Sequence, residues 1–236
     1  MVIKKKESPR RIINNALTNE FWFINFLKSK NLEVLIENNK LNLQGQYCMK
    51  QFRNCLQSIV SQVGYEETYT IVGYGSLLKE SDAYRTMPDM KNHRLGYIDK
   101  FRRIFNMWGY LNVEVDLDVK NMPVGIAELN TSDVISFAFR ERNYFVQKIP
   151  FTEIDESTSS GLMVIANEEN QTTQGEPIIT YLLLCMTGVR ELGGYKALNK
   201  FIETTFTNQG PLLHYLQEYN LTGLIQYVTR NSHIKR

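Results

Sequence analysis

The sequence predicts an α+β fold. Segments rich in β-branched and aromatic residues cluster between residues 69 and 166, and apolar residues recur at helical spacing on both sides of that cluster. One short helix, rather than a regular alternation, interrupts the strands. With 236 residues and 43% hydrophobic content, the chain can build one sizeable core with an appendage, or two small domains. The pattern divides it into a helical extension over residues 1–64 and a main unit, with its C-terminal helices, over residues 65–236.

In the extension, Ile12, Ile13, Leu17, Phe21, Ile24 and Leu27 share helical spacing, as do Met49, Phe52, Leu56, Ile59, Val60 and Val63. The run Leu32-Glu33-Val34-Leu35-Ile36 is short and reads as helix or strand, and Asn38-Asn39 marks a turn. Strands are expected at 69–72, 95–107, 124–129, 144–154 and 162–166, punctuated by Pro88, Gly109 and Pro123. A short helix falls among them, with Thr131 or Ser132 as N-cap and Val134, Ile135, Phe137, Ala138 and Phe139 following. It brings Glu141 close to its C-terminal end. After a polar loop at 167–175, Ile178, Leu182, Met186 and Val189 share a face, Gly193-Gly194 breaks the pattern, and Leu198, Phe201 and Ile202 continue it. A last helix is expected around 212–228.

Net charge is +2, so no strong field argues for nucleic acid or a membrane surface. The basic cluster Lys4-Lys5-Lys6 with Arg10-Arg11 reads as a solvated terminus. No stretch approaches the roughly 18 continuous apolar residues of a membrane span, and the first residues lack the apolar core of a secretory signal. Cys48, Cys55 and Cys185 are odd in number and form no CxxC pair, which favours a reducing compartment, the cytoplasm.

The most informative stretch is Ile71-Val72-Gly73-Tyr74-Gly75-Ser76-Leu77-Leu78. A β-like run meets a glycine turn and then residues able to open a helix, an order that leaves backbone N–H groups free for an anion or a carbonyl. Glycine serves such a turn through positive φ or close backbone approach. Two chemistries drop out. No Gly-Lys-Ser/Thr follows, so it is not a nucleotide P-loop. Leu78 stands where a nucleophile elbow needs its second glycine, so Ser76 is not a nucleophile of that kind. His93, His214 and His233 are isolated, with no metal-ligand spacing, and Cys185 reads as a small core hydrophobe. Glu141 sits where the helix dipole disfavours an acid. Taken alone it reads as a surface partner of Arg140 or Arg142, and Tyr181 alone reads as core.

Together these pieces resemble the γ-glutamylcyclotransferase-like superfamily. Its members open with an apolar strand entering a Tyr-Gly-Ser turn, as Ile71 to Ser76 do here. A basic-aromatic strand follows, similar to Arg94-Leu95-Gly96-Tyr97 and Phe101-Arg102-Arg103-Ile104-Phe105. Next comes a Gly-containing strand like Val124-Gly125-Ile126-Ala127-Glu128-Leu129, then a glutamate followed shortly by tyrosine, matched by Glu141 and Tyr144. Pro177, Tyr181, Cys185-Met186 and Gly188 resemble the family's Pro-x-x-x-Tyr and the apolar helix behind it. The likeness runs from Tyr69 to about Tyr195 and leaves the N-terminal 64 residues and the final helices outside. Two positions differ. Phe137-Ala138 stands where members usually carry Leu-Asp, and Asn143 alone precedes Tyr144 where glutathione-selective members tend to have Gly-Gly.

The resemblance implies a small twisted mixed β-barrel with flanking helices. It also implies an enzyme that closes a γ-glutamyl group into 5-oxoproline and releases an amino acid or amine, with no cofactor, metal or protein nucleophile. Glu141 would be the general acid/base. Ile71, Val72, Gly73, Tyr74, Gly75, Ser76, Leu77, Tyr144 and Tyr181 would hold the substrate. The partner expected is therefore a small γ-glutamyl molecule, with no nucleic acid and no membrane, and oligomeric state stays open. A catalytically silent member of the fold, binding a metabolite or a protein, is the alternative.

Overall fold

The computed structural model describes residues 7–166 and 176–231. The polar loop at 167–175, the Lys4-Lys5-Lys6 cluster and His233 lie outside them. Pro9 opens α1 (Pro9–Thr18), where its fixed φ suits a first turn. Asn19 ends α1 and caps α2 (Glu20–Ser29), its side chain accepting from Trp22 N–H at 3.1 Å. The helical spacing from Ile12 to Leu27 thus spans two helices, and Phe21, 71% exposed, falls off the buried face. The ambiguous run becomes a 3-10 turn at Glu33–Leu35 and a small hairpin of β1 (Ile36–Glu37) and β2 (Lys40–Leu41). Its turn is Asn38-Asn39, both with positive φ, the geometry a two-residue hairpin needs. Asn42 caps α3 (Leu43–Val63), and Gly64, at φ 80°, ends it.

The central region begins with β3 (Thr68–Gly73), a 3-10 turn at Ser76–Leu78 and α4 (Glu80–Thr86). Next come β4 (Lys91–Ile98), β5 (Phe101–Met107), β6 (Tyr110–Val115) and β7 (Met122–Asn130). The single strand expected at 95–107 is two, because Lys100 takes φ 66° and turns the chain. Strand β4 enters the main sheet and β5 starts another. Then α5 (Thr131–Arg140) is capped by Asn130, one residue earlier than expected, whose side chain accepts from Asp133 N–H at 2.9 Å. Strands β8 (Tyr144–Thr152) and β9 (Thr158–Ala166) follow.

From residue 176 onward come α6 (Ile179–Glu203), kinked at Gly193-Gly194, β10 (Thr205–Thr207), β11 (Gly210–Pro211), α7 (Leu212–Glu218) and α8 (Gly223–Asn231). The last helix expected at 212–228 is therefore two, separated near Asn220, at φ 55°. The expectations also lacked α4, β6, β10 and β11.

Strands β3-β7-β4-β8-β9 close into a barrel. Closure falls on β3, which pairs antiparallel with β7 (Ile71 opposite Ala127) and parallel with β9 (Ile71 opposite Leu162). A second sheet runs β11-β10-β5-β6. Helix α3 lies on β8, where Ser58 Oγ donates to Val146 O at 3.3 Å. Phe52, Leu56 and Ile59 of α3 share one continuous core with Val134 and Phe137 of α5 and with Leu182, Met186 and Val189 of α6. Among the described residues no helix is long and apolar enough to cross a membrane.

Candidate active site

Neither Gly73 nor Gly75 takes a positive φ; both are required by space. A Cβ on Gly73 would strike Leu77, and one on Gly75 would strike the Tyr181 hydroxyl. Gly188 performs the same service one layer out, where a Cβ would meet the Leu78–Lys79 backbone at 2.6 Å. Helix α6 therefore lies directly against the turn that follows β3. From the core side, Arg103 Nε donates to Tyr74 O at 2.9 Å. The opening N–H groups of the 3-10 turn have no intrahelical acceptor.

The turn forms one wall of a cavity of about 670 Å³, with Arg140 to Tyr144 on another wall and Tyr181 on a third. Glu141 is the C-cap of α5. Its N–H donates to Phe137 O at 2.9 Å, and its carbonyl accepts from Tyr144 N–H at 3.0 Å, which fixes the step from helix into β8. The Glu141 carboxylate is almost wholly buried and pairs with Arg140 Nε at 3.0 Å. Burial raises its pKa above the ordinary carboxylate value, against the opposing pull of Arg140 and Arg142, and Asp82 adds to the rise.

Arg140 binds several groups at once. Its Nη2 donates to Ser76 Oγ at 2.6 Å and to Asp82 Oδ2 at 3.2 Å, and its Nη1 donates to Thr86 Oγ1 at 2.9 Å. One guanidinium thus links the carboxylate at the end of α5 to the glycine turn after β3. The residue pair that reads in isolation as a surface ion pair stands on the cavity wall.

Burial raises the tyrosine pKa values: Tyr144 to about 12, and Tyr74 and Tyr181 well above the ordinary phenol. All three phenols are neutral hydrogen-bonding groups at physiological pH. Tyr181 sits edge-on to Tyr110, with ring centroids 4.9 Å apart.

Of the residues singled out in the sequence, Tyr74, Gly75, Ser76, Glu141, Tyr144 and Tyr181 line this one cavity. Ile71, Val72, Gly73 and Leu77 do not; they shape the turn from behind. Ile71 and Val72 are 1% exposed in the barrel wall, and Leu77 O lies 2.9 Å from His93 Nε2. Sequence reasoning missed Asp82, Thr86 and Tyr110, which reach the cavity from elements it did not predict. It noticed Arg140 only as a neighbour of Glu141. Among the described residues no cluster of His, Cys, Asp and Glu could hold a metal ion.

The barrel and its flanking helices have the γ-glutamylcyclotransferase-like fold. A solved structure titled gamma-glutamyl cyclotransferase superposes on 57% of this chain and 86% of its own, with a TM-score of 0.51 at 14% identity. An uncharacterised human protein does so over 58% and 87%, with a TM-score of 0.51 at 16% identity. No protein-family model and no curated protein matches the sequence.

Proposed function

We propose that this protein is a γ-glutamylcyclotransferase-type enzyme, converting a γ-glutamyl amino acid or amine to 5-oxoproline and the free amine. The observation that carries the reading is the Arg140 bridge, which joins the mostly buried Glu141 carboxylate to Ser76 of the glycine turn on the wall of one cavity. In the reaction the substrate's α-amino nitrogen attacks its own γ-carbonyl carbon. A five-membered lactam forms as the bond to the leaving nitrogen breaks. The α-ammonium gives up two protons in all, and the leaving nitrogen gains two.

Glu141 takes protons from the first nitrogen and returns them to the second. A carboxylate whose pKa is raised by burial suits both directions of transfer. Backbone N–H groups of the turn receive the substrate carboxylate or the oxygen that becomes anionic in the tetrahedral intermediate. Because attack is intramolecular, the fold's main contribution is to hold the substrate bent, with its two reacting atoms together. Tyr144 and Tyr181 supply neutral hydroxyls and aromatic walls to that end. The buried free cysteines, Cys48, Cys55 and Cys185, support a cytoplasmic setting.

The test is 5-oxoproline release from a panel of γ-glutamyl amino acids and amines, with wild type and Glu141→Gln compared. The expected result is turnover by wild type and a loss of about 10²–10⁴-fold in a folded Glu141→Gln variant. Equal rates in the two would remove Glu141 from the chemistry. Substrate binding without any release would instead favour the silent binding module.

A further inference from the structure

Arg103 is 0% exposed, held between the second sheet and α6. A guanidinium so far from water is expensive to bury unless a counter-charge accompanies it. Among the described residues no carboxylate does. Nε donates to Tyr74 O, Nη1 donates to Thr204 Oγ1 at 3.1 Å, and the Phe201 ring lies 4.6 Å from the guanidinium carbon. Among the described residues Nη2 has no hydrogen-bond partner. Burial lowers the pKa of Arg103 to about 9, so the group is charged at neutral pH. Among the described residues the core therefore holds a positive charge with an aromatic face and neutral acceptors around it but no ion-pair partner.

The direction of one bond shows where that charge is felt. In a trans peptide the C=O and N–H point opposite ways, and no described peptide is cis. Tyr74 C=O points at Arg103, so Gly75 N–H, the other end of the same peptide unit, points away from it. Tyr74 and Gly75 both line the cavity. Donation to the carbonyl also polarises that N–H. A fixed cation and an aligned peptide dipole thus favour negative charge at the turn.

We propose that Arg103 is a positioning residue that acts through the Tyr74–Gly75 peptide as the standing counter-charge for the substrate's α-carboxylate. The inference rests on the γ-glutamyl reading of the site. It assigns the turn to the carboxylate, a charge present throughout the reaction, and not to the transient oxyanion. Substrate and product are then both recognised as anions, and loss of Arg103 weakens binding more than it slows chemistry.

The experiment compares wild type, Arg103→Met, Arg103→Lys and Thr204→Val. It measures affinity for 5-oxoproline and for its neutral carboxamide, with KM and kcat for the best γ-glutamyl substrate. Wild type should favour the acid over the amide. Arg103→Met should lose about tenfold in affinity for the acid, with the amide little changed and KM rising more than kcat falls. Arg103→Lys and Thr204→Val, which keep a charge in place, should retain the preference. An Arg103→Met protein with the wild-type preference overturns the proposal. So does a loss confined to kcat, which would give the charge to the oxyanion, or an equal loss of both ligands, which would make the role structural only.

If Arg103→Met does not fold, Arg103→Lys decides: a folded variant that has lost the preference overturns the proposal, and one that keeps it supports it. A wild-type protein that neither binds 5-oxoproline nor releases it from any substrate removes the γ-glutamyl reading itself, a failure visible before any variant is compared.

Discussion

Phe26 of α2 meets Phe139 of α5 edge to face, with ring centroids 5.3 Å apart and planes at 73°. Phe139 also packs on Phe23 at 6.1 Å and Phe52 at 6.2 Å, so three rings from the N-terminal helices grip the last turn of α5. Glu141 follows two residues later. The Arg142 guanidinium lies 4.7 Å from the centre of the same Phe139 ring. Cys55 of α3 is near enough for the Glu141 charge to help push its thiol up to about 12, after burial itself. The N-terminal helices are thus the backing of the candidate site, and part of what desolvates its carboxylate.

That backing makes a point change in α2 felt at Glu141. Phe26→Ala should cost about 3 kcal/mol of stability, the lower end of the range for deleting a packed phenyl ring, because Phe26 is only partly buried. It should also lower kcat by loosening the seat of α5. Phe21→Ala, on the same helix but 71% exposed, should leave stability within about 0.5 kcal/mol and turnover unchanged. Denaturant melts and 5-oxoproline release on both variants check the pair of outcomes.

Protonation of Glu141 gives a second prediction. Burial raises its pKa above 4.5 while Arg140 and Arg142 pull it down. The acidic limb of kcat/KM should therefore lie above 4.5, and Arg140→Met should move it further up, since the largest opposing charge is gone. The stability sign follows from linkage: a carboxyl raised in the folded state stabilises below its unfolded pKa, and that contribution is lost as pH rises through the folded value. Glu141→Gln should therefore gain stability relative to wild type as pH climbs through that window. A pH series of rate profiles and melts reads both shifts, and a limb that moves down in Arg140→Met would contradict the assignment.

The thiols should be silent in the native state. Cys55 and Cys185 are buried, and burial is the main cause of thiol pKa values of about 12, so almost no thiolate exists at neutral pH. A thiol-specific reagent should leave both unlabelled in the folded protein and modify both in denaturant, as mass spectrometry of the labelled peptides would show. Rapid native labelling of either would mean that the core around it opens.

Most of the barrel strands were legible from segments rich in β-branched and aromatic residues, β4 only as part of one run with β5, and α5 because its apolar spacing is strict. What escaped were breaks that one residue imposes. Asn19 serves at once as the end of α1 and the cap of α2, and a periodicity count passes straight through it. Lys100 has no turn-forming signature, yet its positive φ sends β4 and β5 into different sheets. At the site, Glu141 and Tyr181 were found through their company in the sequence. Asp82 and Thr86 were not, because their role exists only once α4 brings them to Arg140 across 54 or more residues of chain. Gly75 was recognised as necessary, but its reason, the Tyr181 hydroxyl, is a tertiary contact.

That contact can be tested by coupling. A methyl group at Gly75 would collide with the Tyr181 hydroxyl. Gly75→Ala should push the phenol aside and shift the turn, lowering kcat/KM by about 10²-fold, the scale expected when positioning is lost by an ångström. Tyr181→Phe removes the hydroxyl and opens the space. The double variant Gly75→Ala/Tyr181→Phe should then be no worse than the weaker of the two single variants, a strong non-additivity of the kind contacting residues show. Losses that simply multiply would mean that the methyl does its damage elsewhere, for instance by blocking the substrate directly. A thermal melt of each variant separates both outcomes from unfolding, and 5-oxoproline release at saturating and sub-saturating substrate shows whether binding or turnover was lost.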